Sequence, residues 1–313
     1  MDLGLLVAEL ASFGLQQTVA VALASQGEVI TEKSGILNIG IQGTVIMAAF
    51  AAALTNVYFE PSMGAYSPVM GVLAGMAVGA CVNFVFAFLS TRLHVDQVIA
   101  GFGLQLFAIG VTMTLLGMHV EGSFYDGTPL ANTIPSLMVL QTPLLVVPIR
   151  YMYAVMFLLP LLVYLLLFRT KFGLHIRAAG ESPKAAEVGG VNVGVTRMLA
   201  TSLGGVFVGL AGAYLTVDLN SSYTTTFVAG ITASVGFIAI AAVVAGAWRP
   251  AYVFGVALIF GFSLALISVF GQTSGWTYYI LTMIPYIITV ATLAIASKRL
   301  RPPTALGSPY TKE

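Results

Sequence analysis

Residues 169–197 read RTKFGLHIRAAGESPKAAEVGGVNVGVTR, and they form the one long polar interruption in a very apolar chain. This stretch holds five of the thirteen Lys and Arg residues of the protein. Ser182 suits the N-cap of a helix and Pro183 suits its first position. Gly189 and Gly190 then favour a helix end. We therefore predict a short capped helix. It has little apolar surface to bury against its own chain, which favours a docking element for another protein.

The composition outside this stretch indicates a membrane protein. The chain is 58% hydrophobic and 8% charged, whereas soluble domains average about 25% charged residues. Its apolar runs are continuous, so they favour membrane-spanning helices over the alternating strands of a membrane barrel. We predict an all-α integral membrane protein, with residues 1–313 as a single transmembrane domain surrounded by lipid. A net charge of +1 gives no reason to expect a nucleic-acid partner.

Nine apolar runs are candidates for membrane spans, and with uncertain ends they predict a polytopic bundle of about eight to ten transmembrane helices. The runs cover residues 5–26, 36–55, 69–91, 97–118, 150–168, 197–217, 228–247, 251–270 and 276–297.

The distribution of Lys and Arg predicts the orientation of this bundle. With the C-terminus in the cytoplasm, twelve of the thirteen fall in or beside the inner segments, as the positive-inside rule requires. The N-terminus is then outside, and only Arg150 among the basic residues lies there. The predicted outer loop is 119–149. The predicted inner segments are 27–35, 92–96, 248–250, a cytoplasmic loop at 169–196 and a cytoplasmic tail at 298–313.

Two glycine-marked segments raise the question of broken helices. Residues 34–43 read SGILNIGIQG, which is polar for the start of a span. They fit either a simple helix start or a broken, re-entrant helix that faces protein or a cavity. Residues 230–242 read GITASVGFIAIAA and share the Gly-Ile start and a later Gly. The predicted topology runs the two segments in opposite directions, as an inverted repeat would. The alternative is a chance resemblance.

Glycines at four-residue spacing predict close helix packing. Gly71, Gly75 and Gly79 form one such stripe, and Gly205 and Gly209 form another. Small residues on one face let helix backbones approach closely within a membrane. Packing inside the bundle and a subunit interface are both open interpretations.

Several kinds of chemistry are missing from the sequence. No GxxxxGK[ST] phosphate-binding loop occurs, and no metal-ligand spacing or Ser/His/Asp set can be argued. We therefore expect a chain that is not an enzyme and binds no cofactor itself. Glu9, Asp96 and Asp218 fall near span ends rather than at mid-membrane, where ion-coupled carriers usually place carboxylates. This disfavours a stand-alone secondary carrier, and an energy-supplying partner is the preferred interpretation.

Three segments resemble a known family. Residues 178–193, AAGESPKAAEVGGVNV, resemble the cytoplasmic coupling loop of ABC importer permeases. Residues 34–52 and 230–250 resemble conserved segments of the branched-chain amino acid, simple-sugar and nucleoside permease group. Among its branches, the nucleoside branch, which depends on basic-membrane-protein binding proteins, is the most similar. Gln42 stands where that branch usually has Glu, so any role that needs a carboxylate there is in doubt.

The resemblance implies a permease subunit of an ATP-driven importer in a bacterial cytoplasmic (inner) membrane. The implied partners are a second homologous permease that forms a heterodimer with this chain, an ABC ATPase with two nucleotide-binding domains, and an external substrate-binding lipoprotein. ATP and Mg would be bound by the ATPase. A nucleoside is the implied cargo, and ribose-like sugars or branched-chain amino acids are the alternatives.

The implied ATPase-coupling residues lie in the loop that resembles the family's coupling loop, and we expect Ala185 and Ala186 to tolerate no bulk because the docked helix must fit a cleft. The full set is Gly180, Glu181, Ser182, Pro183, Lys184, Ala185, Ala186, Glu187, Gly189, Gly190 and Asn192.

Uncharged polar residues near the membrane interior are candidates for the substrate path. Amide side chains can bond the hydroxyls and ring edges of a nucleoside, and an aromatic ring such as Phe237 can stack on its base. Each amide can equally serve as an interhelical hydrogen bond. The candidates are Asn38, Gln42, Asn83, Gln105, Thr232 and Phe237.

Overall fold

A computed structural model describes residues 3–119, 136–141, 146–219, 234–270, 276–296 and 301–310 of the protein. These residues form eleven α-helices and one two-stranded hairpin. The helices are α1 (Leu3–Lys33), α2 (Ile41–Met63), α3 (Ser67–Thr91), α4 (Gln97–His119), α5 (Tyr151–Arg169), α6 (Lys171–Glu181), α7 (Pro183–Val188), α8 (Val193–Tyr214), α9 (Val235–Ala245), α10 (Pro250–Phe270) and α11 (Trp276–Ala296).

The described helices confirm a polytopic membrane bundle. Six helical segments are long and apolar enough to cross a membrane, and one of these contains both α2 and α3. Two further apolar helices, within α9 and α11, are shorter. The six segments are Leu6–Lys33, Ile41–Thr91, Gln97–Leu115, Tyr151–Arg169, Val193–Asp218 and Pro250–Phe270.

A β-hairpin departs from the all-helical expectation. Strands β1 (Ser136–Gln141) and β2 (Val146–Arg150) pair antiparallel inside the predicted outer loop. Both strands are short and rich in Val, Leu and Ile, which favour extended backbone. Pro148 sits in β2, opposite Val139, and a two-stranded ribbon tolerates it because each strand has a free edge.

The first helix is longer than the sequence predicts. We expected the span to end at residue 26 and residues 27–35 to form an inner loop, but α1 continues to Lys33. The extension packs against α8 at backbone distance: a Cβ atom added to Gly27 would lie 2.4 Å from the carbonyl oxygen of Gly204. Glu28, Thr31 and Glu32 in this extension are buried by protein, so these polar residues do not form a solvated loop.

The two glycine stripes pack against each other inside the bundle. A Cβ atom added to Gly79 would lie 2.3 Å from the carbonyl oxygen of Gly205, and one added to Gly209 would lie 2.3 Å from that of Gly75. Helices α3 and α8 therefore cross with their backbones in contact, which is the close approach that small residues permit. Internal packing, one of the two interpretations of these stripes, is confirmed.

Residues 34–40 interrupt the helices, as a re-entrant segment would. The chain turns at Gly35, whose φ of +94° suits glycine, and it then doubles back along α1 until Asn38 reaches the side chain of Glu28. Glu28 lies five residues before the end of α1, a rise of about 7.5 Å along the helix axis. We call residues 34–40 the break. It is covered by protein, the condition under which non-helical backbone persists at membrane depth.

Helices α2 and α9 start side by side and run in opposite directions. The backbone N–H of Gly236 donates to Gln42 Oε1 at 2.8 Å, so the first turn of α2 caps the first turn of α9. Beyond α9, Trp248 reaches Glu32 near the end of α1, whereas α2 runs away from that end. The opposite directions of α2 and α9 are what an inverted repeat requires, and the repeat itself stays a prediction.

Candidate functional site

The segments predicted to be cytoplasmic meet at one end of the bundle, which we call the inner end. Gly180 at the close of α6 packs on the end of α1, where a Cβ atom added to Gly180 would lie 2.3 Å from the carbonyl oxygen of Lys33. The tail returns to the same place, because the backbone N–H of Gly307 donates to the carbonyl oxygen of Gly35 at 3.1 Å. His94, in the turn between α3 and α4, lies within hydrogen-bond distance of the carbonyl oxygen of Tyr310.

The predicted short helix is present as α7, with Pro183 at its start and Gly189 at its C-cap. Ser182 occupies the N-cap position, but its side chain makes no capping hydrogen bond. The neighbouring helices use such caps instead. Thr170 Oγ1 accepts from the N–H of Gly173 in α6, and Asn192 Oδ1 accepts from the N–H of Val195 in α8. The predicted docking residue Asn192 therefore has a structural role in starting α8.

One face of α7 is buried in its own chain, contrary to our expectation. Ala186 is 6% exposed and packs with Ala179 of α6 and Val193 of α8. The helices on either side of α7 supply this apolar surface. The sequence did not predict it, because the residues of α6 were assigned to a polar loop. Bulk at Ala186 would therefore disturb internal packing whether or not a partner is bound.

The other face of α7 is open. Lys184 and Ala185 are exposed, and Val188 is 91% exposed. Sequence reasoning omitted Val188 from the docking residues, although an aliphatic residue just before Gly189 and Gly190 in a polar segment was a usable signal. We call Lys184, Ala185 and Val188 the open face of α7.

The remaining predicted docking residues divide between these two environments. Gly180 is buried, whereas Gly189 and Gly190 are exposed, the latter with a φ of +85°. Glu181 Oε2 accepts from the hydroxyl of Thr304 at 3.0 Å, and the carboxylate of Glu187 accepts from the hydroxyl of Tyr310. Both acidic residues therefore hold the C-terminal tail.

A cavity of about 520 Å³ opens beside α7 at the inner end. Its walls come from the turn between α3 and α4, the turn between α7 and α8, and the tail. The lining includes three basic residues, Arg92, His94 and Arg197, together with Glu187 and Tyr310. The cavity is a recess next to the open face of α7.

Two buried carboxylates lie near the break, and sequence analysis missed both. Glu28 and Glu32 are fully buried on α1. Glu28 Oε2 accepts from Asn38 Nδ2 at 3.4 Å, and Glu32 Oε2 accepts from Trp248 Nε1. The other oxygen of each carboxylate has no hydrogen-bond partner among the described residues. The argument that the chain lacks interior carboxylates is therefore wrong, because residues 27–35 were taken for a loop.

Asn38, Gln42 and Gln105 gather around the start of α2. Asn38 is held by Glu28 as described above, and its Oδ1 has no hydrogen-bond partner among the described residues. Gln42 caps α9. Gln105 of α4 packs on Gly43, where an added Cβ atom would lie 2.8 Å from the Gln105 Cα. Among the described residues, Gln105 Oε1 also has no hydrogen-bond partner.

The other three path candidates differ in their surroundings. Asn83 accepts from the Thr44 hydroxyl at 2.7 Å and donates to the carbonyl oxygen of Thr201 at 3.2 Å, so it bridges three helices. Phe237 is 37% exposed in the first turn of α9. Thr232 lies outside the described residues.

An ion pair closes the opposite end of the bundle. Arg150, the one basic residue predicted to lie outside, pairs with Asp218 just after α8. The same guanidinium donates to the carbonyl oxygen of Asp218 at 2.6 Å. The pair ties the end of the β-hairpin to the outer end of α8.

Comparisons with known proteins agree with this architecture. The chain is 32% identical over 300 residues to the guanosine ABC transporter permease protein NupQ of Bacillus subtilis (strain 168), covering 93% of this chain and 92% of that protein. It is 30% identical to the nucleoside ABC transporter permease protein NupC of Lactococcus lactis subsp. cremoris (strain MG1363), covering 92% of each. It is also 31% identical to the putative glucose ABC transporter permease protein TsgC13 of Haloferax volcanii, covering 96% of each.

No solved structure matches the chain significantly. A family model described as the permease component of the branched-chain amino acid transport system matches residues 10–290, which include the break, α7 and every other described helix except the ends of α1 and α11. The chain therefore belongs to the family of branched-chain amino acid transport system permease components.

Proposed function

We propose that this protein is a non-catalytic transmembrane subunit of an ATP-driven importer, and that its cargo is a nucleoside. The observation that carries the proposal is similarity over more than nine tenths of the chain to two permease proteins named for guanosine and nucleosides. The physical support is a bundle whose inner end presents an open helix face next to a recess. A transport subunit with no phosphate-binding loop needs its energy from a partner at such a surface.

Docking of an ATPase explains the open face of α7. Val188 has 91% of its surface exposed at the end of a helix whose opposite face, at Ala186, packs against its own chain. An exposed aliphatic side chain beside Lys184 and a cavity with a basic wall is a natural contact for a protein partner. The proposed partner is an ABC ATPase with two nucleotide-binding domains, which binds ATP and Mg itself. Movement of that ATPase would reach this chain first at α7.

The complete importer would contain two further kinds of subunit. A second, homologous permease would complete the translocation path, and an external binding lipoprotein would select the cargo. We place the assembly in a bacterial cytoplasmic membrane. The path in this chain would run past the start of α2, where Asn38 and Gln105 each have an amide oxygen available to a ligand. Phe237, nearby on α9, would stack on a base.

A sugar is the alternative cargo, because one relative of equal similarity is named as a putative glucose permease. Acceptor oxygens near the break suit the hydroxyls of a sugar as well as those of the ribose in a nucleoside. Stacking on Phe237 separates the two cargoes, because a free sugar has no aromatic base to stack.

Reconstitution tests the proposed function directly. Proteoliposomes with both permeases and the ATPase, supplied with the binding protein, should accumulate labelled guanosine when ATP is present. They should not do so when a non-hydrolysable ATP analogue replaces it. Labelled ribose and leucine serve as competing cargoes. Uptake by this chain alone along a proton or sodium gradient would favour a secondary carrier, a class that Glu28 and Glu32 make worth testing. Preferred uptake of ribose or leucine would contradict the nucleoside assignment.

A further inference from the structure

Arg197 is a buried cation that is bonded to backbone instead of to a carboxylate. It lies in the second turn of α8 and is 2% exposed. Its guanidinium donates to three carbonyl oxygens: Nε to Ser34 at 3.1 Å, Nη1 to Ser308 at 3.0 Å and Nη2 to Ala179 at 3.3 Å. Buried charges are normally paired or tightly hydrogen-bonded, and here three carbonyl dipoles serve that purpose. The carboxylates among the described residues form no ion pair with Arg197.

The three acceptors belong to three different segments of the chain. Ser34 opens the break, Ala179 lies near the end of α6 just before α7, and Ser308 is in the tail. Backbone bonds fasten the same segments to each other: the N–H of Ala305 donates to the carbonyl oxygen of Gly180 at 2.9 Å, and that of Gly307 donates to the carbonyl oxygen of Gly35 at 3.1 Å. Arg197 is thus at the junction of the break, α6 and the tail.

Residues 304–310, which we call the strap, extend this junction to α7. The hydroxyl of Thr304 donates to the carboxylate of Glu181 at the end of α6, and that of Tyr310 donates to the carboxylate of Glu187 within α7. Tyr310 also packs on the apolar cluster that contains Ala186. The strap therefore contacts the end of α6 through Thr304, the break through Gly307 and α7 through Tyr310.

We propose that Arg197 and the strap form the link that transmits movement of α7 to the break, and that Arg197 is a positioning residue for transport. The proposal rests on the proposed docking of an ATPase at α7. A planar guanidinium holds its donors in a fixed fork, so three segments bonded to one such group move together. The break carries Asn38 beside Glu28 and leads into Gln42, which caps α9. Displacing the break would therefore shift the starts of both α2 and α9.

The test compares uptake per ATP hydrolysed in the complete reconstituted complex. Arg197→Lys keeps the charge but loses the fork, and Arg197→Gln loses both. Since linked sites typically couple by about 5- to 150-fold, we expect uptake per ATP to fall about tenfold in Arg197→Gln and less in Arg197→Lys. The complex should still assemble and hydrolyse ATP at close to the parent rate. Arg301→Gln, an exposed arginine just before the strap, is the matched control and should keep the parent ratio.

A second variant tests the strap without touching the buried arginine. Thr304→Ala combined with Tyr310→Phe removes the two hydroxyls that bind Glu181 and Glu187, and uptake per ATP should fall in the same direction. An unchanged ratio in both Arg197→Gln and this double variant would overturn the proposal. A proportional loss of uptake and hydrolysis would overturn it too, because that pattern indicates a structural role. If Arg197→Gln fails to assemble, the double variant alone decides. Absence of ATP-driven uptake in the unmodified complex would instead contradict the proposed function.

Discussion

At the scale of single residues, Val188 gives the most direct test of docking. The side chain is 91% exposed, so Val188→Asp should leave the stability of the chain unchanged. If the ATPase covers it, burying a charge in place of an aliphatic group should weaken ATPase binding about tenfold or more, since burial of a Val side chain is worth roughly 1.5–3 kcal/mol. Affinity of the purified permease pair for the ATPase measures this effect. Val188→Leu keeps an aliphatic surface and is the control. Equal affinity for the Asp and Leu variants would rule out contact at this position.

Because the carboxylate of Glu32 is buried, we expect two substitutions of this residue to differ in thermal stability. Glu32→Gln keeps an oxygen that accepts the indole N–H of Trp248 and removes a buried ionisable group. Glu32→Ala leaves that N–H without an acceptor, which costs about 1–3 kcal/mol for a buried donor. Thermal unfolding in detergent should therefore give a Tm for the Gln variant near the parent value and a lower Tm for the Ala variant. Identical Tm values for the two variants would mean that the indole N–H finds another acceptor.

Buried polar residues and one exposed aliphatic residue account for the parts of the site that could not be predicted from the sequence. Glu28 and Glu32 gave residues 27–35 the composition of a solvated loop, and the hydrogen-bond partner of Glu28 comes from the break, where the chain doubles back. Asn38 was predicted to be important from its type and position, but its partner could not be named because the contact depends on the chain doubling back. Val188 was missed for a different reason: the resemblance to a family loop directed attention to its alanines and glycines.

At the scale of elements, the close crossing of α3 and α8 predicts that replacing glycine with alanine destabilises the bundle at this crossing but not at an open helix position. A methyl group on Gly209 would meet the carbonyl oxygen of Gly75 at 2.3 Å, whereas one on Gly110 of α4 would meet nothing within 4 Å. Gly209→Ala should destabilise the bundle by about 1–3 kcal/mol through overpacking. Gly110→Ala should be neutral or stabilising by up to about 1 kcal/mol, the helix preference of Ala over Gly. Unfolding in a mild detergent series compares them, and similar stability of the two variants would contradict the close crossing.

Two neighbouring alanines of α7 should respond differently to a bulky substitution, because they lie on different faces of the helix. Ala185 is exposed and Ala186 is buried. Ala185→Trp should block ATPase binding and leave the Tm of the isolated chain unchanged. Ala186→Trp should lower the Tm, because the ring displaces Ala179, Val193 and Tyr310 from their shared cluster. Measuring Tm and ATPase binding for both variants separates the two faces. A lower Tm for Ala185→Trp alone would mean that the faces are assigned the wrong way round.

Most elements could be predicted from hydropathy, and the exceptions have physical reasons. Continuous apolar runs identify α2 to α5, α8 and α10 because a membrane-spanning helix needs only such a run. The glycine stripes identified close packing but not the partners, which depend on how α3 and α8 cross. The β-hairpin was missed because its strands are five and six residues long, too short to stand out within a long loop. Helix α9 is 11 residues long, since its start is set by contact with Gln42 rather than by the apolar run around it.

At the scale of the whole molecule, the segments predicted to be cytoplasmic and the outer hairpin occupy opposite ends of the bundle. The break, α7, the strap and the turn after α3 contact one another, although they are far apart in sequence. Positive charge predicts which loops share a side of the membrane, but it cannot predict that the tail binds between them. That contact depends on backbone groups at Gly35 and Gly180, which carry no signal in the sequence beyond two glycines.

The orientation itself can be tested with cysteine labelling in intact cells. The chain has a single cysteine, Cys81, and Cys81→Ser provides a background without thiols. Ala185→Cys on α7 and Ser62→Cys at the far end of α2 are both exposed positions. If the N-terminus is outside, a membrane-impermeant maleimide should label Ser62→Cys in intact cells and Ala185→Cys only after the membrane is opened. The two positions report opposite sides, so each is the control for the other. Labelling of Ala185→Cys in intact cells would place α7 outside and remove the basis for an ATPase at that surface.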